Sequence, residues 1–316
     1  MNSSTRVAVC SRSFSKNRVL REELLARYSQ VTFNDCGKKL EGNDLVEFLQ
    51  GHNKAITALE ILDRSVLERL PELKIISKYG VGLDMIDLQA LSDLGISLGW
   101  RGGVNRRSVS ELVIAFAISL LRQIPMGKRD VLSGIWQQTK GGLLSGRTVG
   151  IVGCGHIGKD LVKLLAPWGC TILVHDLLKF PDFYEEHNAK PVSLDELLSR
   201  ADVVTLHLPL DETTRLILDS KRLAMMKPTS ILINTARGGL VDETVLKTML
   251  QTKQLAGAAF DVFSTEPPQD HDLIRLDNFI VTPHIGGSSI EAILAMGRAA
   301  IDGLDNFQNP VAKQSD

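Results

Sequence analysis

Three short segments hold side chains that packing alone would not choose. Ile233-Asn-Thr-Ala-Arg237-Gly-Gly sets a guanidinium just past an apolar run and beside two glycines. Asp261-Val-Phe-Ser-Thr-Glu266-Pro-Pro sets two carboxylates past a second run, with prolines fixing the loop. Thr282-Pro-His284-Ile-Gly-Gly sets an imidazole past a third. An arginine can hold a carboxylate through a forked, charge-assisted contact, and a histidine can move a proton near neutral pH. Singly, each has a plainer explanation: an arginine capping a helix end, a solvated glutamate, a histidine satisfied in a turn. Their joint placement favours chemistry, because ligands of open parallel sheets bind at the carboxyl ends of the strands.

A fourth segment, Val149-Gly-Ile-Val-Gly153-Cys-Gly155-His156-Ile157-Gly158, supplies a companion for them. Three glycines at this spacing are a weak signal alone. Here an apolar strand precedes them and Lys159-Asp-Leu-Val-Lys-Leu-Leu-Ala166 continues as a helix. Gly153 then permits the tight turn, Gly155 lets a pyrophosphate approach the backbone, and Gly158 lets helix and strand pack closely. The helix start offers unpaired N–H groups and a positive dipole end to the phosphates. Asp176 ends the next strand, 21 residues after Gly155, where an acid accepts both ribose hydroxyls of NAD. Leu177, Leu178 and Lys179 follow it, with no arginine for a 2′-phosphate, so NAD is expected over NADP.

The elements that position these groups are legible as alternation. Runs at 6–10, 30–33, 55–59, 73–77 and 95–98 read as strands, with helical patterns such as Arg18–Tyr28 and Ser65–Leu70 between them. A second series follows at 148–153, 171–176, 203–207, 230–235, 256–262 and 279–282. Both series predict an α/β fold of two doubly wound parallel sheets. Between them, Ser108-Val-Ser-Glu111 has capping-box spacing ahead of the apolar stretch Leu112–Leu121. A helix apolar on most faces belongs in a core or against another subunit. Lys140-Gly-Gly-Leu-Leu-Ser-Gly146 reads as a loop, and Ser288-Ser-Ile-Glu291 opens a last helix expected to reach about Phe307.

Composition sets the outer limits. The chain has 316 residues, 44% hydrophobic and 23% charged, which suits two globular domains and excludes a disordered chain or a rod. With 36 basic and 37 acidic residues the net charge is −1, so no field favours nucleic acid or an anionic membrane. Cys10, Cys36, Cys154 and Cys170 lie far apart, with no zinc spacing; no metal is expected, and the thiols suit a reducing compartment. No signal peptide is visible, and Leu112–Leu121 falls short of the roughly 20 residues that span a bilayer, so the expected location is the cytoplasm. Cys154 reads as a small packed side chain; His52, His187 and His271 read as solvated.

In its ordered motifs the chain resembles the D-isomer-specific 2-hydroxyacid dehydrogenases. The motifs are Lys78-Tyr-Gly-Val-Gly-Leu-Asp84, Asn105-Arg-Arg-Ser-Val-Ser-Glu-Leu112, the glycine loop, His207-Leu208-Pro209, Asn234-Thr-Ala-Arg237-Gly, Asp261-Val-Phe and Pro283-His284-Ile-Gly-Gly. The resemblance implies a Rossmann NAD domain, residues 105–287, inserted into a flavodoxin-like substrate domain, residues 1–104 and 288–316. It implies a homodimer, which would explain the apolar helix. It implies that Arg237 holds the carboxylate of a small 2-hydroxy or 2-oxo acid, that His284 is the acid–base group, and that Glu266 bonds the other ring nitrogen. Gly80, Val81 and Gly82 would offer backbone N–H groups to the substrate carboxylate, and Tyr79 would bind substrate beside them. Asp261 would accept from the nicotinamide amide. His207, Leu208 and Pro209 would flank the adenine, His156 and Ile157 would lie near the phosphates, and Thr235, Ala236 and Gly286 would lie along the cofactor.

Substrate is less constrained. The family's phosphoglycerate enzymes place an arginine before the Gly-x-Gly loop, whereas this chain has Ala55-Ile-Thr-Ala-Leu-Glu60; Lys78, Arg101, Arg106 and Arg107 are the cations left to compensate. A D-3-phosphoglycerate dehydrogenase and a glyoxylate or hydroxypyruvate reductase both stay open. So does an NAD-sensing protein like the family's co-repressor branch, whose triad is similar; turnover separates the two classes. Formate dehydrogenases carry glutamine where this chain has Glu266, which argues against that reaction.

Overall fold

The computed structural model describes residues 2–310, and it divides into two units. One holds the chain up to Asn105 and from Ile290 onward; the other is Arg106–Ser289.

The first unit contains β1 (Asn2–Val9), β2 (Tyr28–Phe33), β3 (Lys54–Thr57), β4 (Ile75–Lys78) and β5 (Ser97–Gly99). They pair in the order β2-β1-β3-β4-β5, all parallel, the flavodoxin-like arrangement. The helix expected over Arg18–Tyr28 stops at Leu25, because Tyr28 opens β2 with its ring buried. The helix expected over Ser65–Leu70 is Arg64–Leu67, capped by Asp63, whose side chain accepts from Val66 N at 3.0 Å. The last helix is Ile290–Gly303, shorter at both ends than its pattern suggested. It lies so close to the sheet that a Cβ on Gly99 would stand 2.1 Å from Gly303 O. Ser77 Oγ donates to Ala300 O at 2.6 Å.

The second unit contains β6 (Thr148–Val152), β7 (Thr171–His175), β8 (Ala189–Pro191), β9 (Val203–Leu206), β10 (Ile231–Asn234), β11 (Gly257–Phe260) and β12 (Phe279–Val281). The order is β12-β11-β10-β9-β6-β7-β8, again all parallel. This is the Rossmann order with one further strand. Six of these strands answer to the apolar runs. The seventh, β8, was not anticipated: it has three residues, two of them exposed, and ends in a proline, so it has no hydrophobic signature. Proline and shortness both belong to an edge.

Both faces of this sheet are covered, which is why its strands are apolar throughout. Val149, Ile151, Ile172, Val174, Ile231 and Ile233 pack with helices Arg106–Leu121 and His156–Leu165. Val152, Leu173, Val204, Leu206, Leu232 and Phe260 pack on the opposite side with Leu194–Arg200 and Glu243–Gln251.

The helix expected to begin at a Ser108 cap begins at Arg106 instead. Ser108 therefore sits inside the first turn, free to use its hydroxyl elsewhere. Only one stripe of this helix is buried, namely Val109, Ser110, Val113, Phe116 and Ala117. A further helix, Ile124–Leu132, leaves its side at 58° with no buried residue. Among the described residues no single helix is long and apolar enough to cross a membrane.

Candidate active site

Because every strand of the larger sheet runs the same way, the segments following β6, β7, β9, β10, β11 and β12 all emerge at one edge. Those segments carry the glycine loop, Asp176, His207, Arg237, Asp261 with Glu266, and His284.

In the glycine loop the three glycines differ in what they permit. Gly153 has φ +97°, and a Cβ there would stand 2.5 Å from His207 O. A Cβ on Gly158 would stand 2.2 Å from Gly153 O. Both are required by the protein's own backbone. Gly155 faces open space, with nothing within 4 Å of its missing Cβ, and it starts helix His156–Leu165 without a side-chain cap. The open side is where an anionic group would meet the helix start. Asp176 accepts from Cys154 N and from Leu178 N, the latter at 2.9 Å, so its carboxylate is held against the loop. Cys154 is packed as expected; burial and Asp176 push its thiol up to about 11.

Two buried polar atoms at the same sheet edge have no partner. Thr235 Oγ1, just past β10, has none, and neither has Nδ1 of His207 just past β9. His207 is half-buried as a residue, but Nδ1 is buried and Nε2 lies 3.0 Å from Thr205 Oγ1. Burial pushes this histidine down to about 3, so it is neutral. Buried polar atoms without protein partners are what a polar ligand would satisfy. Together with the open Gly155 they fit a dinucleotide lying across the ends of β6, β9 and β10.

The turn carrying Arg237 is braced by Asn234, whose Nδ2 donates to Arg237 O at 2.8 Å and whose Oδ1 accepts from Ala236 N at 3.1 Å. Next to it, Gly238 has no room for a side chain: a Cβ would lie 1.9 Å from Phe263 O. This close approach sets the arginine turn directly on the loop that carries Glu266. Glu266 Oε1 accepts from Phe263 N at 3.2 Å, and Oε2 lies 2.9 Å from Nδ1 of His284. An ionised carboxylate only accepts, so Nδ1 carries the proton and Nε2 is left as the free lone pair or second donor. The imidazole is about half exposed, at 53% for its side chain, as a group that must meet substrate has to be.

Asp261 holds the loop that follows β12. It is 1% exposed, and its carboxylate accepts three hydrogen bonds from the segment that follows β12. Oδ1 takes the Thr282 hydroxyl and Ile285 N at 2.7 Å, and Oδ2 takes Gly286 N at 2.7 Å. Its main-chain oxygen accepts from His284 N at 3.0 Å. Sequence reasoning missed this clamp, and with it Thr282, Asn234, Gly238 and Ser108; only the Gly286 spacing hinted that a backbone must approach closely there.

In the first unit, Tyr79 is buried edge-on against Phe14, and Gly80 takes φ +129°, which only glycine tolerates. Val81 O accepts from Trp100 Nε1 at 2.9 Å, and Gly82 is half-buried. Lys78 is 3% exposed with Nζ donating to Ala58 O, while Glu60 accepts from Ala58 N at 2.6 Å. In the second unit Arg107 forks onto Asp160 with two bonds of 2.9 Å. Lys78 and Arg107 are thus engaged within the protein.

The three histidines expected in solvent divide. His271 is exposed. His187 lies half-buried against Phe183, ring centroids 4.5 Å apart. His52 is 5% exposed and bonded to Thr32 Oγ1 at 2.9 Å, because its polar neighbours form the turn that feeds β3 rather than a surface loop.

Comparison with known proteins agrees with this geometry. Residues 114–286 match the family model described as D-isomer specific 2-hydroxyacid dehydrogenase, NAD binding domain. The chain is similar to a D-3-phosphoglycerate dehydrogenase of Methanocaldococcus jannaschii, 38% identical over 74% of this chain and 45% of that one. It is also similar to a glyoxylate reductase of Thermococcus litoralis, 35% identical over 78% and 77% of the two chains. The chain therefore spans under half the length of the first relative and about three quarters of the second. Among solved structures, a glyoxylate reductase from Paecilomyes thermophila superposes with a TM-score of 0.86 at 27% identity, over 97% of this chain and 95% of that one.

Proposed function

The chain belongs to the D-isomer specific 2-hydroxyacid dehydrogenase family, with NAD as the family's cofactor, and on that footing we propose that it interconverts a D-2-hydroxy acid and its 2-oxo acid. The observation that carries this reading is the Glu266–His284 pair, 2.9 Å apart, at the same sheet edge as the glycine loop and Arg237. The nicotinamide supplies the hydride chemistry when bound. Gly153, Gly155, Gly158 and Asp176 hold the cofactor, and His207 to Pro209, Thr235 and Ala236 line it. Arg237 holds the substrate carboxylate, a planar group that a guanidinium fork fits. His284 Nε2 gives a proton to the substrate oxygen in reduction and takes it back in oxidation. Glu266 fixes the tautomer that makes this transfer available. The first unit is assigned to substrate binding, through its Tyr79–Gly82 turn.

For the substrate, we favour a small unphosphorylated oxoacid such as glyoxylate or hydroxypyruvate. Lys78 is turned onto a backbone carbonyl, Glu60 is a carboxylate beside it, and Arg107 is paired with Asp160. The relatives named for D-3-phosphoglycerate keep 3-phosphohydroxypyruvate as the second reading. A homodimer is supported by the apolar side chains exposed on and after helix Ile124–Leu132, among them Val131, Leu132, Ile135 and Trp136, the last 87% exposed. The four unpaired cysteines support a reducing, cytoplasmic location.

The deciding experiment follows NADH consumption with glyoxylate, hydroxypyruvate, pyruvate and 3-phosphohydroxypyruvate, using NADPH and His284→Ala as controls. Turnover that prefers an unphosphorylated acid and drops about 10³-fold in the variant is the expected result. Preference for the phosphorylated acid would reverse the substrate reading. NADH binding with no turnover on any acid would replace the enzyme by a sensor.

A further inference from the structure

His284 has φ +54°, a left-handed conformation that residues other than glycine hold only when their surroundings impose it. Asp261 supplies one side of that constraint through Thr282, His284, Ile285 and Gly286. All of those contacts come from the end of β11. The carbonyl of Gly286 is left over, and it is taken by Ser108 Oγ at 2.6 Å. The same hydroxyl oxygen receives Ser289 N at 3.4 Å. The Gly286 residue is therefore pinned on both sides, its N–H by Asp261 and its C=O by Ser108. A Cβ on Gly286 would lie 3.0 Å from Asp261 Oδ2 and 3.5 Å from Val109 Cγ2, so the loop runs closely between the carboxylate and helix Arg106–Leu121.

From this we infer that Ser108 is a positioning residue for His284, acting as the outer jaw of a clamp whose inner jaw is Asp261. Ser108 is not the cap of its own helix, which starts two residues earlier. The helix is anchored to the sheet by Val113, Phe116 and Ala117, so its hydroxyl is presented from a fixed base. Without that hydroxyl Gly286 is held through its N–H alone, and the peptide group joining it to Gly287 loses this restraint. It can then rotate, and the imidazole two residues upstream loses its alignment with Glu266. The catalytic consequence rests on the reading of His284 as the acid–base group; the structural claim does not.

The test separates the two. Imidazole nitrogen spectra of the histidine-labelled protein without cofactor report the Nδ1–H bond to Glu266, with His284→Asn identifying the signal. In Ser108→Ala that signal moves toward an unbonded nitrogen, and in Ser108→Thr, which restores the donor, it stays in place. An unmoved signal in Ser108→Ala overturns the proposal, as does an equal movement in both variants. Should Ser108→Ala fail to fold, Ser108→Cys, similar in size with a weaker donor, takes its place under the same criterion. In turnover, Ser108→Ala lowers kcat about tenfold or more, the scale expected of a misaligned reacting group, with NADH affinity within about twofold. If His284→Asn keeps full turnover, the acid–base reading fails, while the nitrogen spectra still decide for or against Ser108.

Discussion

The glycine loop after β6 and the histidine loop after β12 open at the same edge of one sheet, and both depart from ordinary strand-to-helix connections. Their shapes have different causes. The glycine loop is built from within: Gly158 packs on Gly153, five residues away, and the helix start that faces the open side belongs to the same segment. Its outside contacts, from Asp176 and the His207 carbonyl, come from the neighbouring strand ends. The histidine loop is built from outside. Its conformation is imposed by a carboxylate 23 residues upstream of His284 and by a hydroxyl 178 residues upstream of Gly286. One loop is a local motif. The other is an assembly.

Substitutions can break or sharpen that contrast. The largest effect is expected at Gly158→Ala, whose Cβ would meet a backbone oxygen at 2.2 Å that cannot move without the turn. Overpacking of this kind costs about 1–3 kcal/mol, and urea titration should find it together with lost NADH binding. Retained stability would show that the loop relaxes and is less self-determined than described.

Asp261→Asn should come next. An amide offers one acceptor oxygen and turns its NH2 toward a backbone donor, so at least one of three bonds is lost at a buried site. The expected penalty is about 1–3 kcal/mol. Turnover should fall more than NADH affinity; if affinity falls alone, Asp261 serves the cofactor rather than the loop.

A third effect depends on pH. His207 is held down to about 3 in the folded protein, against about 6.5 in the unfolded chain. The stability this represents is complete above about pH 6.5 and is lost as pH falls from there toward 3, because the unfolded chain binds the proton first. Urea midpoints of the wild type and His207→Gln should therefore differ in slope across that window and run parallel above it. Identical slopes would place the ring in water.

The smallest effect on stability is expected at Gly155→Ala. Its φ is −74° and the space ahead of it is empty, so stability should stay within about 0.5 kcal/mol. NADH affinity should still drop, because the added methyl occupies the approach to the helix start. An unchanged affinity would remove the phosphates from that place.

The same contrast explains how far the sequence could be read. The glycine loop, its flanking strand and helix, and Asp176 lie within one short stretch whose residue types each meet a local demand, so their arrangement was legible. Arg237, Glu266 and His284 were legible as types at strand ends, since apolar runs mark the strands. Ser108 was misread as a cap because its spacing to Glu111 satisfies a local rule, while its actual partner is distant in sequence. The Asp261 clamp was hidden for the same reason: nothing nearby in the chain reveals that three donors return to its carboxylate. β8 escaped because an exposed three-residue edge has no hydrophobic period to detect, and His52 because polar neighbours do not report burial by tertiary packing.

The backbone contact between Gly99 and Gly303 has a consequence for the order of events during synthesis. β4 and β5 are complete within the first hundred residues, yet the helix that covers them arrives only after the whole seven-stranded unit has left the ribosome. The inserted unit is continuous and can close around its own core while the earlier strands still wait for their cover, as domains of a nascent chain generally fold as units. Chains truncated after Ser289 and released from the ribosome should then yield a protease-resistant fragment spanning the second unit and a digested first hundred residues. A first unit already resistant at that stage would mean that its sheet closes without its last helix.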